Sequence, residues 1–185
     1  MRVTFTRTGE RRYGVLVERT SAPAMAIHPA PGYDEFLPHD LLHFVAEAEW
    51  QIDGAVFGVL AAGGDPGSFG QAGGRSKLQR RRQRPKGRSR GRRSELLADL
   101  LHQAWRARHG RSPLPLDWDE RLVAARAEAS HVDAVVDVLD ELAEQWRHVH
   151  VGESIVLDWP RGEGRGVRPA RRPKRLPHRG HPRSS

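Results

Sequence analysis

Two histidines four residues apart, in the run His39-Asp40-Leu41-Leu42-His43, are the first chemistry the sequence offers. Side chains at i and i+4 leave a helix in the same direction, so both imidazoles could bind one divalent ion. Glu47, one turn further on, could add a carboxylate. His39, His43 and Glu47 are therefore candidate ligands for zinc, iron or manganese. Asp40 is a candidate catalytic base toward a metal-bound water. His148 and His150 would offer a further pair if Val149 stood between them on a strand. The plainer alternative is that histidines on a polar helix face are ordinary solvated residues, with His39 and Asp40 decorating a helix start.

The form H-D-x-x-H is similar to the H-E-x-x-H motif of zinc proteases, with Asp40 at the offset of the general base but one methylene shorter. The downstream third histidine of metzincins has no counterpart. The same five residues resemble the H-D-x-x-H…Glu signature of the ubiquinone-biosynthesis scaffold family. The glutamate of that signature falls on Ala55 here and is not carried over. The longer stretch Pro31-Gly-Tyr-Asp-Glu-Phe-Leu-Pro-His-Asp-Leu-Leu-His43 resembles a PGYxxxLPHDLxHF-like segment of a family of small bacterial proteins. That resemblance covers the first third of the chain, implies a bacterial protein and brings no activity with it.

Charge supplies the second lead. The 185 residues carry 31 Lys and Arg against 23 Asp and Glu, for a net charge of +8. Eleven of the cations lie between Arg75 and Arg93 with no acid among them. Nine more lie in 160–185, against Glu163 alone. These two arms sum to +19, which leaves the remaining segments at −11. Arginine clusters bind phosphate through bidentate, charge-assisted hydrogen bonds. Arg80, Arg81, Arg82, Arg84, Lys86, Arg88, Arg90, Arg92 and Arg93 in the first arm are candidate contacts to RNA or DNA. So are Arg171, Arg172, Lys174 and Arg175 in the second. No aromatic residue interleaves them, so stacking is absent and binding should be phosphate-led and weakly sequence-specific. The alternatives are solubilising arms, docking of the arms on the acidic body, or an acidic partner. Both arms lack the apolar residues needed to offset backbone ordering and are read as disordered when free.

Around these features the elements are legible. Residues 2–8 and 12–19 alternate, with Val3 and Phe5, then Tyr13, Val15 and Val17, on one face; Gly9-Glu10 suits the hairpin turn. A third short strand is expected from Ala24 to His28. A helix from Pro38 to Ile52 would carry Leu41, Phe44, Val45, Ala48 and Ile52 on one face and His39, His43, Glu47 and Trp50 on the other. A short apolar segment, 55–62, follows. Ser94 is read as the cap of a helix bearing Leu97, Leu100, Leu101, Ala104 and Trp105 and ending at Gly110. Asp117 with Glu120, and Ser130 with Asp133, have capping-box spacing. Val132, Val135, Val136, Leu139, Leu142 and Trp146 repeat at helical intervals. Residues 153–158 read as a last strand that could join the N-terminal sheet.

The expected fold is α+β: a small antiparallel N-terminal sheet packed by about four helices, with two Arg-rich segments outside it. Residues 1–62 and 94–159 would form one domain, 63–93 a linker and 160–185 a basic tail. The absence of cysteine excludes disulfides, Cys-ligated zinc and thiol catalysis. There is no phosphate-binding glycine loop before a helix and no G-x-S-x-G elbow. No apolar run approaches the roughly 18 residues of a membrane span, and no signal peptide is visible, so a cytoplasmic location is expected. On sequence the chain reads as a non-enzymatic binding or accessory protein contacting a polyanion. The alternative is a metal-dependent, hydrolase-like enzyme built on the histidine helix.

Overall fold

Alternation at the N-terminus is realised as a one-sided sheet. The computed structural model describes residues 1–32, 36–72, 88–160 and Val167, with residues 88–90 as backbone only. Strands β1 (Arg2–Gly9) and β2 (Arg12–Glu18) pair antiparallel, with Val3 opposite Val17 and Phe5 opposite Val15. The short β3 (Met25–Ile27) adds to β2, placing Met25 beside Val17. β4 (Gly70–Gln71) closes that edge, and β5 (Ser154–Asp158) pairs with β1, setting Ile155 against Phe5 and Leu157 against Val3. The order is β4-β3-β2-β1-β5. Because side chains alternate across a strand, the register puts Val3, Phe5, Tyr13, Val15, Val17, Met25, Ile155 and Leu157 in the core together.

Five helices complete the α+β fold among the described residues: α1 (His39–Glu49), α2 (Val56–Ala61), α3 (Arg88–Arg108), α4 (Trp118–Ala125) and α5 (Ala129–Arg147). Helix α1 packs on α2, α3 and α5, and α3 packs in turn on α4 and α5. Phe44 of α1 and Phe57 of α2 meet Phe5 of the sheet at centroid distances of 6.1 and 6.4 Å, and each other at 5.3 Å. Such aromatic pairs contribute about 0.5–1.5 kcal/mol each beyond their buried area. One continuous apolar core runs through both sides of the first basic arm, from Val3 to Phe69 and from Leu97 to Leu157.

Several local expectations are corrected. Pro38 sits at the N-cap of α1 rather than inside its first turn, and α1 ends at Glu49, before the left-handed Gln51 (φ 51°). Within the apolar segment 55–62, for which no element type was expected, Val56–Ala61 form α2. Helix α3 begins at Arg88, not at Ser94, so Ser94 is an interior helix residue. The stretch 63–93 read as a linker therefore contains β4 and the first turns of α3. Asp117 makes no capping bond; its carboxylate accepts from Arg121 Nε at 2.8 Å. Glu128, not Ser130, is the N-cap of α5. Gly110 does follow the end of α3, at φ +64°, a conformation glycine adopts without strain.

Candidate functional site

Helix α1 was expected to show a solvated polar face. Instead residues 41–48 are buried all round, His43 and Glu47 included. The cause is α3, which lies over the side of α1 that faces away from the sheet and carries Ser94 into the seam. Ser94 shares the apolar stripe of Leu97 and Leu101 at intervals of three and four, and this spacing is the signal in the sequence for an inward-facing hydroxyl.

The seam holds a closed hydrogen-bond chain. Ser94 Oγ donates to Glu47 Oε1 at 2.9 Å, and His43 Nδ1 lies 2.9 Å from the same hydroxyl. Glu47 Oε2 accepts from the backbone N–H groups of Phe57, at 2.6 Å, and Gly58, at 3.1 Å. The carboxylate thus caps α2, whose own N-cap, Ala55, has no side chain for the task. Gly58 lets α2 lie against the turn before it: a Cβ there would meet Ile52 O at 2.1 Å.

Burial pushes the Glu47 carboxyl up to about 7, against the lowering pull of its backbone and Ser94 hydrogen bonds. Burial also lowers His43 below its ordinary value. Glu95 opposes that shift, and His39 adds to it. With Glu47 ionised, His43 Nδ1–H donates to Ser94 and Ser94 donates to Glu47. With Glu47 protonated, the chain can reverse, Glu47 donating to Ser94 and Ser94 to a bare Nδ1. Either polarity leaves His43 Nδ1, the Ser94 hydroxyl and the Glu47 carboxyl paired.

The residues proposed from the histidine motif separate. His39 is exposed, its ring 4.7 Å from that of His43 in an edge contact. His43 Nε2 lies 3.6 Å from Glu95, on the open side of the seam. Asp40 turns toward the sheet, where its Oδ2 is 2.8 Å from Tyr13 Oη; that hydroxyl also lies 2.7 Å from the carbonyl of Pro31. Burial raises the Asp40 carboxyl, while the Tyr13 hydrogen bond and His39 hold it down. Tyr13 is itself raised, first by burial and then by Asp40. Among the described residues, no group of three or more His, Cys, Asp or Glu side chains could hold a metal ion. His148 is exposed at the end of α5, not on a strand, with Nδ1 2.9 Å from the Glu144 carbonyl; His150 is exposed in the turn that follows.

A second polar cluster occupies the last turn of α1. Glu49 Oε1 accepts the backbone N–H of Val167 at 2.6 Å, and Val167 is itself buried. Glu49 Oε2 is 4.0 Å from His131 Nε2, and the His131 ring stacks on Trp50 at 4.4 Å.

Of the candidate phosphate contacts, Arg88, Arg90, Arg92 and Arg93 lie on α3. Arg92 is exposed. Arg93 is engaged with the fold: its Nε donates to the Ala125 carbonyl at 3.1 Å and its Nη2 to Arg126 at 3.4 Å, at the C-terminus of α4. Arg80, Arg81, Arg82, Arg84, Lys86, Arg171, Arg172, Lys174 and Arg175 lie outside the described residues, as do Tyr33, Asp34 and Glu35 of the PGYxxxLPHDLxHF-like segment. Sequence reasoning missed Tyr13, Ser94, Glu49 and Val167 as polar partners.

Among the described residues no helix is long and apolar enough to cross a membrane. No protein-family model, curated protein or solved structure matches the chain.

Proposed function

We propose that this protein is a non-enzymatic nucleic-acid-binding or accessory protein that grips the phosphate backbone with its arginine-rich segments. The observation that carries this reading is the start of α3. Its first turn holds no acid, and four of its first six residues are arginine. Cations there oppose the helix dipole, each at a cost of about 0.3–1 kcal/mol where exposed, and repel one another. An anionic partner offsets both effects. The metal-dependent reading finds less support, since both Glu47 oxygens are committed to Ser94 and to α2 while the Asp40 carboxylate is engaged by Tyr13.

The test is a titration of a labelled 30-mer RNA and a matched DNA duplex at several salt concentrations. Intact protein is compared with a chain lacking 75–87 and 168–185, which keeps the buried Val167. The first deletion stops at 87 because α3 starts at Arg88 and Arg93 caps α4. Non-specific binding with Kd around 10⁻⁴–10⁻⁶ M at physiological salt, weakening steeply as salt rises, is the expected result. Affinity unchanged both by the deletions and by changing Arg88, Arg90 and Arg92 to Gln, or insensitivity to salt, overturns the reading.

A further inference from the structure

The sheet has two edges, and they are finished differently. On one side β4 is two residues long, the kind of short edge that natural sheets use against further pairing. On the other side lies β5, paired with β1 alone. Its register with β1 is unbroken from Arg2–Asp158 to Thr6–Ser154. It has no lysine, proline or bulge, the features that blunt an exposed edge. The flanking hydrogen bonds show which of its backbone groups are open. The Trp159 amide donates to the Met1 carbonyl and the Arg7 amide to the Glu153 carbonyl, so the odd-numbered residues of β5 are the ones bonded to β1. Bonded and non-bonded pairs alternate in an antiparallel ladder, so the N–H and C=O groups of Ser154, Val156 and Asp158 point away from β1. Among the described residues nothing pairs with these groups.

Ile155 and Leu157 are 5% and 0% exposed, so this edge lacks hydrogen-bond partners rather than apolar cover. On the face away from the helices, Ala26, Leu16, Thr4 and Val156 form one uncharged row across the sheet, ending at Val156. A second β5, antiparallel and centred on Val156, would continue both the ladder and the row. Val156 would then face the partner's Val156, Ile155 the partner's Leu157, and Ser154 the partner's Asp158. Apolar meets apolar and polar meets polar at each position. The two Asp158 carboxylates would stand four residues apart along the ladder, about 14 Å, so no like charges meet. Each stays beside Arg2 of its own chain, at 3.4 Å. The pairs made by Ser154, Val156 and Asp158 are the bonded ones, with two hydrogen bonds each. A shift of two residues would set Asp158 or Ser154 against Val156 instead. Pro160, which has no N–H, ends the ladder.

We infer that β5 is a homodimerisation edge: two copies of this chain pair their last strands antiparallel across a two-fold axis at Val156, joining their sheets into one. Such an interface is isologous, so one strand serves both copies and no second surface is needed. Pairing of β5 depends neither on the arginine-rich segments nor on nucleic acid. Backbone hydrogen bonds and the Val156 contact supply the attraction. An interface this small belongs to the weak class that buries less than about 1,200 Å² in total. Association is therefore expected in the micromolar range.

The experiment uses the full chain at high salt, which strips bound polyanion. Sedimentation velocity follows the mass across the micromolar range, and hydrogen exchange follows the amides of Ser154, Val156 and Asp158. The mass should rise from 20.8 kDa to twice that value, with those three amides gaining protection over the same concentrations. Val156→Lys keeps every backbone group and sets like charges opposite each other at the axis, so it should weaken association at least ~10-fold. Val156→Pro removes an outward N–H that β1 does not use, and should do the same. The chain has no cysteine, so Val156→Cys places its only thiol at the axis, while Asp158→Cys places it about 14 Å from its mate. Oxidation should cross-link the first and not the second, and a mixture of Ser154→Cys and Asp158→Cys chains should give the mixed dimer. A chain that stays at 20.8 kDa throughout overturns the assignment. Amides protected at every concentration would then identify a segment of this chain as the cover of the edge. A dimer indifferent to Val156→Lys, or one that cross-links equally through Asp158→Cys alone, overturns it as well, because the copies then meet elsewhere.

Discussion

The Ser94 hydroxyl stands 2.9 Å from the Glu47 carboxylate, in a seam where both groups are buried. One buried side chain thereby sets the entry of α2 and the seating of α3. Replacing Glu47 by alanine would leave the Phe57 and Gly58 amides and the Ser94 hydroxyl without their acceptor, at about 1–3 kcal/mol for each buried group. Glu47→Ala should therefore lower stability by about 3 kcal/mol or more in urea unfolding. Glu47→Gln can still accept from α2 and donate toward Ser94, and should fall within about 1 kcal/mol of the natural chain.

The same pair of elements predicts an unusual pH profile. Glu47 is raised from an ordinary 4.5 to about 7, so in isolation its contribution is fully present below pH 4.5 and is lost as pH rises toward 7. His43 is lowered from 6.5, so its contribution is present above pH 6.5 and is lost as pH falls. Between pH 4.5 and 6.5 the two contributions change in opposite directions and offset each other. Unfolding free energy across this window should depend less on pH in the natural chain than in either variant, rising with pH for Glu47→Gln and falling with pH for His43→Gln. Equal slopes in the two variants would show that the groups do not titrate as a pair.

Gly58 is constrained by the same cap. A methyl group there would overlap the Ile52 carbonyl, so α2 must move off the turn that precedes it and away from Glu47. Gly58→Ala should cost about 3 kcal/mol, comparable with a strained core insertion. The urea midpoint should shift without a change in the denaturant slope.

Tyr13 ties the loop around Pro31 to the start of α1 through Asp40. Tyr13→Phe keeps the packing and removes the hydroxyl, at a cost of about 1–3 kcal/mol. Because that hydrogen bond holds the Asp40 carboxyl down, its loss should raise the Asp40 titration midpoint, a shift visible by carboxyl-carbon NMR. An unmoved midpoint would place the carboxylate elsewhere.

The strands and α5 were legible because their periodicities are strict: Val3, Phe5, Val15 and Val17 alternate, and Val132 to Trp146 keeps a single stripe. The polar side of α1 was misread because amphipathic patterning assumes that one side of a helix meets water. Here α3 covers it, and only the placement of Ser94 on the Leu97 stripe hints at that. The start of α3 was placed too late because arginine is a good helix former, so the helix extends through Arg88–Arg93 with no apolar residue to mark it. Helix α2 and strand β4 are too short for periodicity to show. They exist because Glu47 caps one and β3 pairs with the other. The H-D-x-x-H spacing was real, but its residues serve two different contacts, the His43–Ser94–Glu47 chain and the Asp40–Tyr13 pair.

The pairing of β1 with β5 carries a consequence for synthesis. Val3 and Phe5 of the first strand wait for Ile155 and Leu157 of the last, so one side of the sheet stays open until almost the whole body has left the ribosome. Contacts of such sequence separation slow folding and leave an unpaired edge exposed meanwhile. The hairpin β1–β2 can form early, but its seat in the core cannot be filled before α1 arrives and cannot be sealed before β5. A chain stalled or cleaved before Ser154 would present an apolar strand edge, the feature that quality-control chaperones and proteases recognise.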